Sequence, residues 1–192
     1  GAHTLVMTAT PIPRTLALIL YGDLDISTIL DKPVARAKIQ TGIVPKQKYR
    51  GMLQFVEEQI KNGRQAYFVC PKIDGDEEGA VLSVTEIFEE LSKELPGINI
   101  ELLHGRMKDA KKTEIMLDFR ARKIDAIVST TVIEVGIDVP NATIMCIFSA
   151  DRFGLSQLHQ LRGRIGRGQY KSTCIFISDY KNTLCPKFLS TN

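Results

Sequence analysis

Apolar stretches of strand length alternate along this chain with longer stretches in which apolar residues recur every three or four positions. The first kind fits strands buried on both faces, and the second fits helices with one buried stripe. Leu5-Val6-Met7 and a short helical stretch from Leu16 to Tyr21 come first, and the regular part opens with a strand over Ile39 to Val44. A helix over Lys46 to Lys61 follows, with Tyr49, Met52, Leu53, Val56 and Ile60 on one face and Asn62-Gly63 as its stop. Next come a strand over Ala66 to Cys70, an acidic loop from Asp74 to Gly79, and a helix over Val81 to Leu95. That helix turns Val81, Val84, Phe88, Leu91 and Leu95 inward and stops at Pro96-Gly97. Strands over Ile98 to Leu103, Ile124 to Ser129, Thr143 to Phe148 and Thr173 to Ile177 are interleaved with helices over Lys108 to Arg120 and Gly154 to Ile165. The pattern predicts an α/β fold, a mostly parallel β-sheet flanked by helices on both faces.

The alternation also sets boundaries. Pro11 and Pro13 open a helix rather than interrupt one. Gly22 to Ala37 mixes Gly, Pro and scattered charge and reads as a linker. Residues 38–178 are therefore expected to form the compact domain, with 1–37 the end of another unit and 179–192 the start of an extension. Gly1-Ala2-His3 reads as a remnant of expression, with native sequence starting near Thr4.

Composition narrows the function. Of 192 residues, 44% are hydrophobic, enough for a sizeable core. The net charge of +3 is mild, so any nucleic-acid contact must come from a few placed groups rather than from a basic clamp. Cys70, Cys146 and Cys174 lie in apolar, strand-like runs, and with Cys185 they form no C-x-x-C pair. They read as reduced core thiols in the cytoplasm, with no metal site expected. No apolar run approaches ~18 residues, so no membrane span is expected.

A phosphate loop, G-x-x-x-x-G-K-[ST], is absent, and so is a G-x-G-x-x-G after a strand. No acidic pair of the kind that holds magnesium stands at a strand end. The chain therefore cannot assemble a complete ATPase site from its own residues. The most informative segment runs from Gln157 to Gly168. On a helix turning ~100° per residue, Leu155, Leu158, Leu161 and Ile165 fall on one side and Gln157, Gln160, Arg164 and Arg167 within the opposite arc. Guanidinium forks match phosphate oxygens, so this set suits a phosphate supplied by another lobe. The plainer reading is a solvated basic face. It is weakened by Gly163 and Gly166, which cost about 1 kcal/mol each in a helix. Arg162 falls on the leucine side and reads as structural.

Gln160-Leu161-Arg162-Gly163-Arg164-Ile165-Gly166-Arg167 resembles motif VI of the superfamily 2 helicases, Q-x-x-G-R-x-G-R. Ser129 to Pro140 resembles motif V, Thr8-Ala9-Thr10-Pro11 resembles motif III, and Leu102 to Met107 is similar to the segment preceding motif V. The order agrees and the resemblance covers nearly the whole chain. Ala9 to Thr15 and Asp151 to Gln160 are similar to the branch shared by the RecG helicases and the Mfd transcription-repair coupling translocases. His159-Gln160, Gly168 and Gly22 to Asp25 look more like the RecG family.

The resemblance implies a RecA-like domain, of the P-loop NTPase type, that forms the second lobe of an ATP-dependent DNA helicase. It implies that Arg164 and Arg167 reach the ATP γ-phosphate, that Gln160 senses it, and that Asp138 holds the ribose. Gly136 would allow close backbone approach. The phosphates and Mg2+ would be held by the first lobe. DNA phosphates would be met by Ser129, Thr130 and Thr131 and by His104, Gly105 and Arg106, while Thr8 and Thr10 would couple ATP state to DNA grip. Asp138 is open to a second reading as a turn residue before Pro140, and His104 as a capping or core histidine. The implied partners are branched or forked DNA, ATP, and the N-terminal helicase lobe and DNA-recognition domain of the same protein, with no membrane. Leu5 to Leu20 would have lost their native sheet, and a helical hairpin would follow Asn192. The rivals are the Mfd lobe, a stand-alone nucleic-acid-binding module, a dinucleotide enzyme and half of an RNA helicase.

Overall fold

The computed structural model describes residues 39–71, 77–130 and 136–178. Thr8, Thr10, the Leu5 to Leu20 segment, the linker to Ala37, Asp74 to Asp76, Thr131, Cys185 and the start of the extension lie outside the described residues.

Six strands are present: β1 (Ile39–Pro45), β2 (Gln65–Cys70), β3 (Ile100–Leu103), β4 (Ala126–Thr130), β5 (Ala142–Phe148) and β6 (Ser172–Ser178). Four helices accompany them: α1 (Tyr49–Lys61), α2 (Glu77–Glu94), α3 (Asp109–Arg120) and α4 (Leu155–Arg162). The strands form one sheet in the order β1-β6-β5-β2-β4-β3, and every described pairing is parallel. The chain moves from β1 to β2 to β3 in one direction and from β3 to β4 and β5 to β6 in the other. Right-handed crossovers then place α1 and α2 on one face and α3 and α4 on the opposite face.

The two cores show this. Ala66, Phe68 and Cys70 of β2 pack with Met52, Leu53, Val56 and Ile60 of α1 and with Val84 and Leu91 of α2. The alternate residues Tyr67 and Val69 pack with Ile115, Met116 and Phe119 of α3 and with Leu158 and Leu161 of α4. Burial on both faces is why the strands read as unbroken apolar runs. Burial pushes the Cys70 and Cys174 thiols up to about 12, as expected of inert core cysteines.

Several boundaries differ from the sequence reading. Lys46–Lys48 form a 3-10 turn before α1 rather than its first turn. α2 begins at Glu77, inside the expected acidic loop. Ile98 and Asn99 precede β3, and Ile124 and Asp125 precede β4, where the Asp125 and Ala126 amides donate to the Asn99 carbonyl. α1 ends as the Asn62-Gly63 pair predicts. Gly63 has a φ of 86°, its amide donates to Ile60, and the Arg64 amide donates to Gln59.

Candidate functional site

α4 stops at Arg162, three residues earlier than expected. Gly163 caps it, and the Arg164 and Ile165 amides donate back to Leu161 and Arg162 in a tighter turn. Gly166 then turns the chain at a φ of 76°, a left-handed backbone that glycine adopts without strain. Arg164 and Arg167 thus leave from an irregular turn, and the helical arc expected to align them with Gln157 and Gln160 does not exist. Gln157 is occupied elsewhere, since its Oε1 accepts from the Gly154 amide at 3.0 Å. Gln160 is exposed. The apolar side of the segment holds as expected: Leu158, Leu161 and Ile165 are buried and Leu155 packs against them. Burial of such side chains contributes roughly 1.5–3 kcal/mol each and fixes where the turn emerges. Arg162 is half-buried, near enough to Cys174 for its charge to oppose the burial-raised thiol pKa.

Two segments meet at this turn. Arg167 Nη1 stands 3.5 Å from Asp138 Oδ1, with the two side chains 48% and 46% exposed. Arg167 Nε also donates to the Gly163 carbonyl at 2.9 Å. The following residue, Gly168, lies so close to Pro140 that a Cβ would come within 2.9 Å of its carbonyl oxygen. Gly136, by contrast, is exposed and, among the described residues, has nothing within 4 Å of a notional Cβ. Beneath the pair lies Tyr67, 2% exposed, its hydroxyl pKa raised by burial and by Asp138 and opposed by Arg164 and Arg167.

A polar network that the sequence reading missed underlies the same rim. Gln65, 2% exposed, donates through Nε2 to the Phe119 and Ile124 carbonyls at 2.6 and 2.7 Å. Its Oε1 accepts from Asn141 Nδ2 at 3.0 Å, and that amide also reaches the Gly63 carbonyl at 2.9 Å. Arg64 Nη1 donates to Asn141 Oδ1 at 3.2 Å while its guanidinium lies 3.3 Å from the centre of the Tyr170 ring. A glutamine heading a strand and an asparagine after a proline both look like solvated turn residues in a sequence. Only the sheet order, which sets β2 beside β5, brings them together.

The other expected residues lie at the opposite end of the sheet. Ser129 and Thr130 close β4, and His104 follows β3, beside them in register. Ser129 is fully buried, and among the described residues its Oγ has no hydrogen-bond partner. His104 Nδ1 is likewise buried without a partner, and desolvation, with help from Arg106 and Lys112, holds the imidazole pKa below its ordinary value. Gly105 and Arg106 are exposed, and Arg106 reaches Glu78 at 3.5 Å. The expected residues therefore fall into two groups, one at each end of the strands. Asp138, Arg164 and Arg167 share the rim where β2 and β5 begin, and His104, Ser129 and Thr130 share the rim where β3 and β4 end.

The family model described as "Helicase conserved C-terminal domain" matches residues 47–169. The chain is 48% identical over 179 residues to the ATP-dependent DNA helicase RecG of Bacillus subtilis, covering 93% of this chain and 26% of the relative. It is 49% identical over 176 residues to RecG of Haemophilus influenzae, covering 91% of this chain and 25% of the relative. A solved structure of RecG bound to a three-way DNA junction superposes with a TM-score of 0.66 at 45% identity, over 88% of this chain and 22% of that one. The chain thus spans about a quarter of the length of the curated relatives it matches. Among the described residues, no helix is long and apolar enough to cross a membrane. The all-parallel sheet fits these matches, and the chain belongs to the helicase conserved C-terminal domain family.

Proposed function

We propose that this chain is the second motor lobe of a RecG-like, ATP-dependent DNA helicase that acts on branched or forked DNA. In this reading residues 1–37 end the first lobe and link it to the second, 38–178 form the second lobe, and 179–192 begin a C-terminal extension. The observation that carries it is the separation of the two rims. A rim with two guanidiniums and a carboxylate suits a nucleotide, and a rim with hydroxyls, an imidazole and Arg106 suits a phosphodiester backbone. One lobe can then hold both ligands at once and relay strain between them.

Arg164 and Arg167 donate to the γ-phosphate of an ATP whose phosphates and Mg2+ are held by the first lobe. The pair between Arg167 and Asp138 is half-exposed and worth at most ~1 kcal/mol, so a phosphate readily displaces the carboxylate. The released Asp138 is then free to accept from a ribose hydroxyl. Gln160 senses the same phosphate, and Gly136 lets the nucleotide approach the backbone. Guanidinium charge offsets the charge that builds on the transferring phosphoryl oxygens. At the other rim, Ser129, Thr130, Thr131, His104, Gly105 and Arg106 grip DNA phosphates without reading sequence, and Thr8 and Thr10 couple the two events. Mg2+-ATP hydrolysis closes and opens the lobes and moves DNA through fork regression, recombination and repair, which places the protein with the chromosome in the cytoplasm.

The test is DNA-stimulated ATP hydrolysis by the full-length motor. Arg164→Ala and Arg167→Ala are each expected to lower kcat by roughly 10³-fold or more while fork binding at fixed salt holds. The chain by itself is expected to show no hydrolysis. Unchanged turnover in the double variant would reject the reading.

A further inference from the structure

The residues that complete the nucleotide rim come from two segments far apart in the chain, and each is held three positions further on. Asp138 is followed at that distance by Asn141, and Arg167 by Tyr170. Arg64 touches both followers: its Nη1 donates to Asn141 Oδ1 at 3.2 Å, and its guanidinium carbon lies over the Tyr170 ring, 3.3 Å from its centre. Between the followers and the ion pair, Gly168 rests on Pro140. We propose that Arg64 is a positioning residue for Arg167, a brace that fixes the spacing between the segment carrying Asp138 and the turn carrying the arginines.

The brace is anchored from below. Asn141 cannot rotate its amide, because Nδ2 is bound to the Gly63 carbonyl and to Gln65 Oε1. Gln65 is in turn fixed by the Phe119 and Ile124 carbonyls. Arg64 itself leaves the chain directly after Gly63, whose left-handed turn ends α1 and aims the next residue across the rim. A planar guanidinium that makes a hydrogen bond in its plane and stacks on a ring through its face has little freedom left. The turn carrying Arg167 is otherwise irregular: after α4 ends at Arg162 it has no continuous helix to hold its direction. Arg167 gains its direction from contacts at both sides of it, the Gly163 carbonyl before and the Gly168 and Tyr170 contacts after.

This inference rests on the arginine role proposed above, and its test separates the two. In the full-length motor, Arg64→Ala and Tyr170→Ala are expected to lower kcat for DNA-stimulated hydrolysis by roughly tenfold or more, as small misplacements of a reacting group do. Fork affinity is expected to hold, because the DNA rim is at the other end of the sheet. Tyr170→Phe, which keeps the ring, is expected to retain turnover. Tyr170 is 49% exposed, so its substitution leaves the core intact if Arg64→Ala misfolds. In an Arg167→Ala background, Arg64→Ala is expected to cost less than in the parent, the remainder acting through Arg164 on the same turn. Full turnover in both Arg64→Ala and Tyr170→Ala, or an equal loss with and without Arg167, overturns the brace. Full turnover in Arg167→Ala itself overturns the arginine role and the brace with it.

Discussion

Gly168 and Pro140 are in such close contact that a methyl group on Gly168 would sit 2.9 Å from the Pro140 carbonyl oxygen and 3.4 Å from its Cβ. The nearest atom is backbone, so relief requires one segment to move. Gly168→Ala is expected to destabilise the lobe by about 1–3 kcal/mol, the usual cost of overpacking. Gly136→Ala meets nothing within 4 Å and is expected to change folding stability by no more than about 0.5 kcal/mol. Urea denaturation of the two variants reads the difference. A larger loss at Gly136 than at Gly168 would contradict the contact.

Gln65 stabilises three elements with one amide. Gln65→Leu fills similar space but removes the side-chain donor to the Ile124 carbonyl, leaves the Phe119 carbonyl with the Arg122 amide, and takes one acceptor from Asn141. Leaving buried polar groups unmet costs ~1–3 kcal/mol for each group, so a loss of about 2–4 kcal/mol is expected after some rehydration. Gln65→Glu is expected to be worse at neutral pH, because a carboxylate would face two carbonyl oxygens. Thermal unfolding of both variants checks the order, and a Leu variant as stable as the parent would show that the amide is dispensable.

How much was legible follows from where each signal is local. The strands of the sheet, the buried faces of α1, α2 and α3, and the stop at Asn62-Gly63 all reside in short windows, and each appears as the pattern predicts. The end of α4 was misjudged because Leu158, Leu161 and Ile165 keep a helical spacing although the chain turns tightly after Arg162. That turn changed the meaning of the arginines without changing their identity. The division of the expected residues between two rims was not legible, since it depends on the chain running from β4 past Asp138 to the start of β5. The Arg64, Gln65, Asn141 and Tyr170 network was invisible for the same reason: its members span residues 64 to 170, and no window holds more than two.

The sequence reading ends α3 at Arg120, as the structure does, although no glycine follows it. Arg122 takes the left-handed position itself, with a φ of 62°, while its amide donates to Phe119 and the Lys123 amide to Asp118. The same geometry at the end of α1 is met by Gly63. A side chain in that conformation costs roughly 1–2 kcal/mol, so Arg122→Gly is expected to stabilise the lobe by up to about 1 kcal/mol once the entropy of the glycine is offset. A fall in melting temperature for Arg122→Gly would mean that the guanidinium makes contacts worth more than the strain.

His104 gives the rim where β3 and β4 end a pH dependence. Desolvation first, then Arg106 and Lys112, hold its folded pKa below the ordinary 6.5. The unfolded chain therefore takes up the proton at higher pH than the folded lobe does. Stability from the neutral imidazole is complete above the ordinary value and is lost as pH falls from there through the lower folded value. His104→Gln is expected to flatten the fall in melting temperature across that window. In the proposed function DNA would give the same residue an opposite pull, since a phosphate beside it would favour the imidazolium and offset the two cations. Saturation with a forked duplex is accordingly expected to raise the His104 pKa, read from its imidazole protons by NMR titration. A pKa unmoved by DNA would take His104 out of the phosphate contact and leave Ser129 and Thr130 to form that rim without it.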